Sequence, residues 1–134
     1  MKDIFQTVRD TRYFKKLLSA IESVNLSDTL SGPGPFTLFA PVDESFGKLP
    51  EEKRKEIFRN KWKLRQTLAS HVMSDRVTTA DIENMGLARM MNETVFSISV
   101  NDHGIMIDGA MIIQGDILCS NGVIHAVDAF IHPR

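Results

Sequence analysis

The stretch VIHAVDAFI, residues 123–131, constrains the fold more than any other. Side chains of a strand alternate between two faces, so Val123, His125, Val127 and Ile131 share one side while Ile124, Asp128, Phe130 and His132 share the other. Both sides are mostly apolar. A strand of that kind has to lie in the middle of a fold, covered on both faces, and the asparagine-glycine pair before it, Asn121-Gly122, reads as the tight turn that starts it.

The same geometry limits what the polar residues of this strand can do. His125 and Asp128 point to opposite sides and form no local dyad. His125 and His132 stand about 23 Å apart along an extended chain, too far to share a metal ion. Buried, hydrogen-bonded roles are therefore expected for His125 and Asp128. His71 follows Leu68 by three residues at the edge of an apolar stripe and is expected in the core as well, whereas His103, in the turn NDHG, is expected to be exposed.

The runs TVFSISVN, GIMID and AMIIQGDI precede this strand, separated by the turn signals NDHG, DG and SNG, and they predict a compact antiparallel sheet. The first half has a different texture. Phe14, Leu17, Leu18 and Ile21 recur with helical spacing and predict a helix from about Tyr13 to Val24. SGPGP reads as a loop, FTLFA as a short buried strand ended by Pro41, VDESFGKL as a helical turn capped by Asp43, and Pro50 as the start of another helix. Leu64, Leu68 and Val72 repeat every fourth residue and predict a helix from Trp62 to Met73. Thr78 and Asp81 form a capping box for a short helix running to about Met85, before Gly86. Helices first and a sheet after them is the α+β pattern.

The chain has 134 residues, the size of one domain, so a single domain over 1–134 is expected. Hydrophobic residues make up 43% and charged residues 25%, an ordinary globular balance. The apolar runs are far shorter than the roughly 20 residues of a spanning helix, so no membrane span is expected. Net charge is −1, which gives no global attraction to nucleic acid, and a nucleic-acid partner is not expected. Cys119, the one cysteine, leaves the redox compartment open. The N-terminal stretch lacks the unbroken apolar core of a signal peptide, so either the protein is cytoplasmic or a leader has been removed. No HExxH, CxxC, GxSxG, GxGxxG or P-loop pattern occurs. Neither an enzyme nor a bound metal or cofactor is expected.

Two features suggest binding. Between Lys48 and Arg65 eight basic residues face three acidic ones, a local +5 with Trp62 among them. Lys53, Lys55, Arg59, Lys61 and Trp62 form a candidate patch that could locally grip an acidic polysaccharide, a nucleic acid or an anionic surface, weighed against an ordinary solvated helix face. Seven methionines, including Met85, Met90, Met91, Met106 and Met111 in the second half, suggest an alternative, a pocket for a small apolar ligand, although core packing explains them as well. A large apolar pocket favours the carrier, and an exposed apolar or aromatic patch favours an adhesion module. Asn25 (NLS) and Asn92 (NET) match glycosylation sequons, which matter only in a secretory pathway.

Three stretches together resemble the fasciclin domain family: GPFTLFAPVDESFGKL, LRQTLASHV and IQGDILCSNGVIHAVDAFIHP, in the family's order and spacing. The first and last resemble its two homology motifs, the middle one its Tyr-His motif, and ETVFSISVNDHGIMIDGAMI falls where the family has hairpins. The motif positions are matched by Thr37, Phe39, Ala40, Pro41, Phe46, His71, Asn121, Gly122, His125 and Asp128, most of which look structural. Ser70 stands where the family usually has tyrosine, so a role of that tyrosine is not implied for this chain. The resemblance implies a wedge-shaped β-sandwich with helices packed alongside. It also implies a secreted or cell-surface, non-enzymatic module that contacts a protein, matrix or polysaccharide partner; a monomer is expected.

Overall fold

The computed structural model describes residues 1–131. His132 lies outside them. Helix α1 (Ile4–Asp10) opens with a capping box in which Asp3 accepts the Gln6 amide hydrogen and the Gln6 side chain accepts that of Asp3. A 3-10 turn (Arg12–Phe14) leads into α2 (Lys15–Ser23), and α3 (Ser27–Leu30) follows. Phe14, Leu17 and Ile21 are buried and Leu18 half-buried, the stripe expected from their spacing. Each buried side chain of this size contributes about 1.5–3 kcal/mol.

Strand β1 (Phe36–Pro41) comes next, then α4 (Asp43–Phe46), α5 (Glu51–Phe58), α6 (Lys61–Ala69), β2 (Val72–Met73) and α7 (Thr79–Ile82). The remainder is sheet: β3 (Leu87–Arg89), β4 (Val95–Asn101), β5 (Gly104–Ile107), β6 (Ala110–Cys119) and β7 (Gly122–Val127). The strand order is β2-β1-β7-β6-β5-β4-β3. The sheet nearly closes, because the Met91 amide beyond β3 donates to the Val72 carbonyl of β2 at 2.6 Å.

Alternation along β1 and β7 sorts two cores. Leu38, Ala40, Ile124 and Ala126 point to the helices and join Phe14, Leu17, Ile21, Leu64 and Leu68. Phe39 and Val127 point the other way, against Phe96, Ile105, Ile107 and Ala110 of the folded-over strands. The closing strand is thus central, as its two apolar faces require, and the architecture is the α+β sandwich with helices alongside.

Four local expectations are corrected. The sheet is not wholly antiparallel, since β7 pairs parallel to β1, Phe36 opposite Gly122 and Pro41 opposite Val127; all the chain between them crosses over. Asp43 caps a different helix from the one expected: α4 has no side-chain cap, and the Asp43 carboxylate instead accepts the Lys16 amide hydrogen of α2 at 2.8 Å. The helix after Trp62 stops at Ala69, and Val72 and Met73 pair with β1, because Leu38 and Thr37 offer open backbone groups there. Finally, the β6–β7 turn is one residue earlier than expected. Cys119 pairs with Gly122, so Ser120 and Asn121 form the loop, and Asn121 does not adopt positive φ. The two-residue turn with positive φ at both centres is Asp108-Gly109, at 44° and 93°.

Candidate functional site

The motif histidines are buried, and their partners define their protons. His71 sits just past the end of α6. Its Nε2 accepts the Ile131 amide hydrogen at 2.9 Å, which leaves the proton on Nδ1 to be donated to the Thr67 carbonyl at 2.7 Å. His125 has the opposite tautomer. Its Nδ1 accepts the Asp116 amide hydrogen at 3.0 Å and its Nε2 donates to the Val77 carbonyl at 2.7 Å. Burial lowers the pKa of His125 from its ordinary value, against smaller opposing effects of the Val77 carbonyl and the Asp116 carboxylate. Each ring is a neutral cross-brace: His71 ties α6 to the chain after β7, and His125 ties β7 to a β6 bulge and to the loop before α7.

Asn121 is a second brace. Its Oδ1 accepts the Ile4 amide hydrogen at 2.9 Å, and its Nδ2 donates to the Leu30 and Gly32 carbonyls, both at 2.8 Å. Its own carbonyl accepts from Phe36 N at 3.0 Å. Gly122 is required by closeness, for a Cβ there would stand 1.9 Å from the Phe36 carbonyl oxygen. Thr37 joins β1 to the loop before α7, donating to the Asp75 carbonyl at 2.6 Å and accepting from Val77 N at 2.8 Å.

The remaining motif residues pack. Phe39 stacks obliquely on His125 with centroids 5.6 Å apart, Ala40 is buried, and Pro41 ends β1. Phe46 meets Phe130 edge to face at 4.7 Å. Asp128 is only half-buried, which corrects its expected burial, because β7 ends at Val127; its carboxylate accepts Met111 N at 2.9 Å and pairs with Lys48 at 3.8 Å. Ser70 is buried and donates to the Thr67 carbonyl at 2.6 Å. Cys119 is buried too, and burial pushes its thiol up. Among the described residues no group of three or more His, Cys, Asp or Glu side chains is placed to hold a metal ion, and no helix is long and apolar enough to cross a membrane.

The candidate patch lies outside this braced interior. Trp62, in the first turn of α6, is 68% exposed and shares a shallow recess of about 170 Å³ with Lys53 and Lys63. Arg59 and Lys61 flank the α5–α6 connection, both exposed. Glu51 pairs with Lys55 at 3.2 Å and Glu56 with Lys63 at 2.7 Å, which leaves Lys53, Arg59 and Lys61 as the patch cations without an ion pair to a described residue. Elsewhere Leu87 and Val95 are exposed diagonal neighbours on β3 and β4.

The methionines do not converge on one apolar pocket. Met90 is in the strand core, Met85 packs against it, Met91 packs on the helix side, and Met106 and Met111 are cross-strand partners. Met73, Met90 and Met91 share a recess of about 440 Å³, but Asp75, Arg89 and Glu93 line it too.

The class defined by this arrangement is an α+β fold whose two histidines and one asparagine brace a central parallel strand pair. The fasciclin domain model matches residues 12–133, and the chain belongs to the fasciclin domain family. It is 32% identical to Protein sll1483 of Synechocystis over 132 residues, 97% of this chain and 73% of that protein. It is 26% identical to human periostin over 136 residues, 98% of this chain but 16% of periostin. Its fold matches that of a FAS1 domain pair from the insect cell adhesion molecule Fasciclin I, with a TM-score of 0.77, 14% identity, and coverage of 98% of this chain and 51% of that one.

Proposed function

We propose that the chain is a non-enzymatic adhesion or interaction module, a single domain acting as a monomer outside the cell, whose α5–α6 face grips an anionic surface partner such as an acidic polysaccharide. The observation that carries this reading is Trp62, a large aromatic side chain left 68% exposed beside Lys53 in one recess, with exposed Arg59 and Lys61 close to it in sequence. A partly hydrated cationic face with one aromatic platform suits a sulfated or carboxylated sugar chain, whose charges meet the cations while a ring face stacks on the indole. The motif residues support the scaffold rather than the contact, since nearly all are buried. The fold it shares with a domain pair from an insect cell adhesion molecule is in keeping with this class of function.

Trp62 is the chain's one tryptophan, so its fluorescence reports this face directly. Titration with heparin at low salt is expected to change its emission in a saturable way that added salt reverses. Unchanged emission at heparin concentrations that retain the protein would place the contact elsewhere.

A further inference from the structure

On the other side of α5 a groove of about 660 Å³ runs between α2, α4, α5 and α6. Phe46, Phe58, Leu64 and Ala20 line its apolar part, while Lys15, Lys16 and Arg54 stand at its edge. Arg54 and Phe58, one helical turn apart, face this groove, whereas Lys53 and Glu56 line the recess beside Trp62, so α5 separates the two surfaces. Among the described residues lining the groove none is acidic, and Lys15, Lys16 and Arg54 form no ion pair with a described residue. Asp43 of α4 accepts the Lys16 backbone amide hydrogen and, with Glu44, lines a neighbouring recess that Lys15 also borders.

We infer that this groove binds a small amphipathic anion, a carboxylate or sulfonate bearing an apolar chain or ring. The volume lies in the range of about 300–1,000 Å³ usual for small-molecule sites. The apolar lining would remove a hydrocarbon tail from water, and three unpaired cations meet one anionic head. The Lys16 ammonium lies 6.0 Å from the Phe46 ring centroid, so the positive edge reaches over the apolar floor instead of standing apart from it. A purely apolar guest leaves that charge unanswered, and a hydrophilic anion leaves the phenylalanines wet. The inference goes beyond the adhesion reading and does not depend on it.

Monomeric decanoate, read by displacement of anilinonaphthalenesulfonate and by calorimetry, tests it, with decanol as the uncharged control. Decanoate is expected to saturate one site and to bind about fivefold more tightly than decanol, the upper end of what one charge contact at a solvent-exposed edge provides. K16E/R54E should weaken decanoate about tenfold with little change for decanol, since both residues are exposed. S19W, at an exposed position on the groove, should fill it and abolish binding of both without shifting the unfolding midpoint. Reversal of Lys53, Arg59 and Lys61 should leave decanoate binding unchanged, which separates this site from the heparin face. Absence of saturation by decanoate, equal affinity for decanol, or unaltered binding by both variants would overturn the inference. So would attachment to phosphatidylglycerol vesicles without saturation by monomeric decanoate, which would make the groove a membrane contact.

Discussion

His125 and Asp116 are joined across the β6–β7 hairpin by a hydrogen bond from the Asp116 amide to the His125 ring nitrogen, 3.0 Å long. The bond exists because β6 bulges between Gln114 and Ile117, with Asp116 at φ 57°. The same aspartate then turns its carboxylate to Thr79, accepting from its amide at 2.9 Å and its hydroxyl at 2.6 Å at the start of α7. The Thr79 hydroxyl bond, followed by its amide bond, holds the Asp116 carboxyl below the usual carboxylate range against partial burial. One histidine, one bulge and one helix start are thereby a single unit.

Replacing His125 by alanine leaves the Asp116 amide and the Val77 carbonyl without this partner. We expect a loss of about 1–3 kcal/mol for each stranded group that stays buried, measured by urea unfolding at pH 7. The pH dependence has a definite sign. His125 has a lowered folded-state pKa, so the unfolded chain takes up the proton first; its contribution is complete above about 6.5, the ordinary histidine value, and declines as pH falls below it. Wild type should therefore lose more stability between pH 7 and 5 than His125→Ala does. Parallel pH profiles for the two proteins would contradict the neutral assignment.

Gly122→Ala should destabilise far more than its size suggests, because the added Cβ meets the Phe36 carbonyl oxygen at 1.9 Å and β1 has to move off β7. We expect a loss of roughly 3 kcal/mol or more, or no folded protein. Gly109→Ala is the contrast: its φ is 93° but nothing lies within 4 Å of a new Cβ, so only backbone strain of about 1–2 kcal/mol is expected. Similar melting temperatures for the two variants would refute the close-approach argument.

Asn121→Asp keeps the oxygen that serves Ile4 but faces the Leu30 and Gly32 carbonyls with a second acceptor. A loss of about 2–4 kcal/mol is expected at neutral pH, more than one lost bond. Denaturant titration checks it, and a loss below about 1 kcal/mol would show that the two donor bonds contribute little.

These braces explain what could be read from the chain and what could not. The helix carrying Phe14, Leu17 and Ile21, the turns at NDHG and Asp108-Gly109, the capping box at Thr78 and the central placement of the closing strand all follow from local spacing, which a sequence displays directly. The parallel pairing of Phe36 with Gly122 does not, because neither strand carries a mark of a partner so distant. The every-fourth repeat of Leu64, Leu68 and Val72 ran past a helix end, since Val72 is buried whether the chain is helical or extended. Asn121 read as a turn residue for its backbone tolerance, while its side chain serves three other segments. In the candidate patch the charges were legible, but the pairing of Lys55 with Glu51 depended on rotamers.

The two sequons differ in access. Asn25 is exposed at φ 58° after α2, whereas the Asn92 side-chain nitrogen donates to the Gln66 carbonyl at 3.0 Å. Passed through a eukaryotic secretory pathway, the protein is expected to carry glycan at Asn25 and little at Asn92, as peptide mass mapping would show. The reverse pattern would mean that the Asn92 bond opens readily before the fold is complete.

The most direct test of the adhesion reading is salt elution from immobilised heparin, comparing wild type with K53E/R59E/K61E. These three residues are exposed, and none is ion-paired with a described residue, so the variant should keep its fold and unfolding midpoint. Wild type should be retained at low salt and released as salt screens the contact, and the variant should pass through or elute well before it. Equal retention of the two folded proteins would contradict the account.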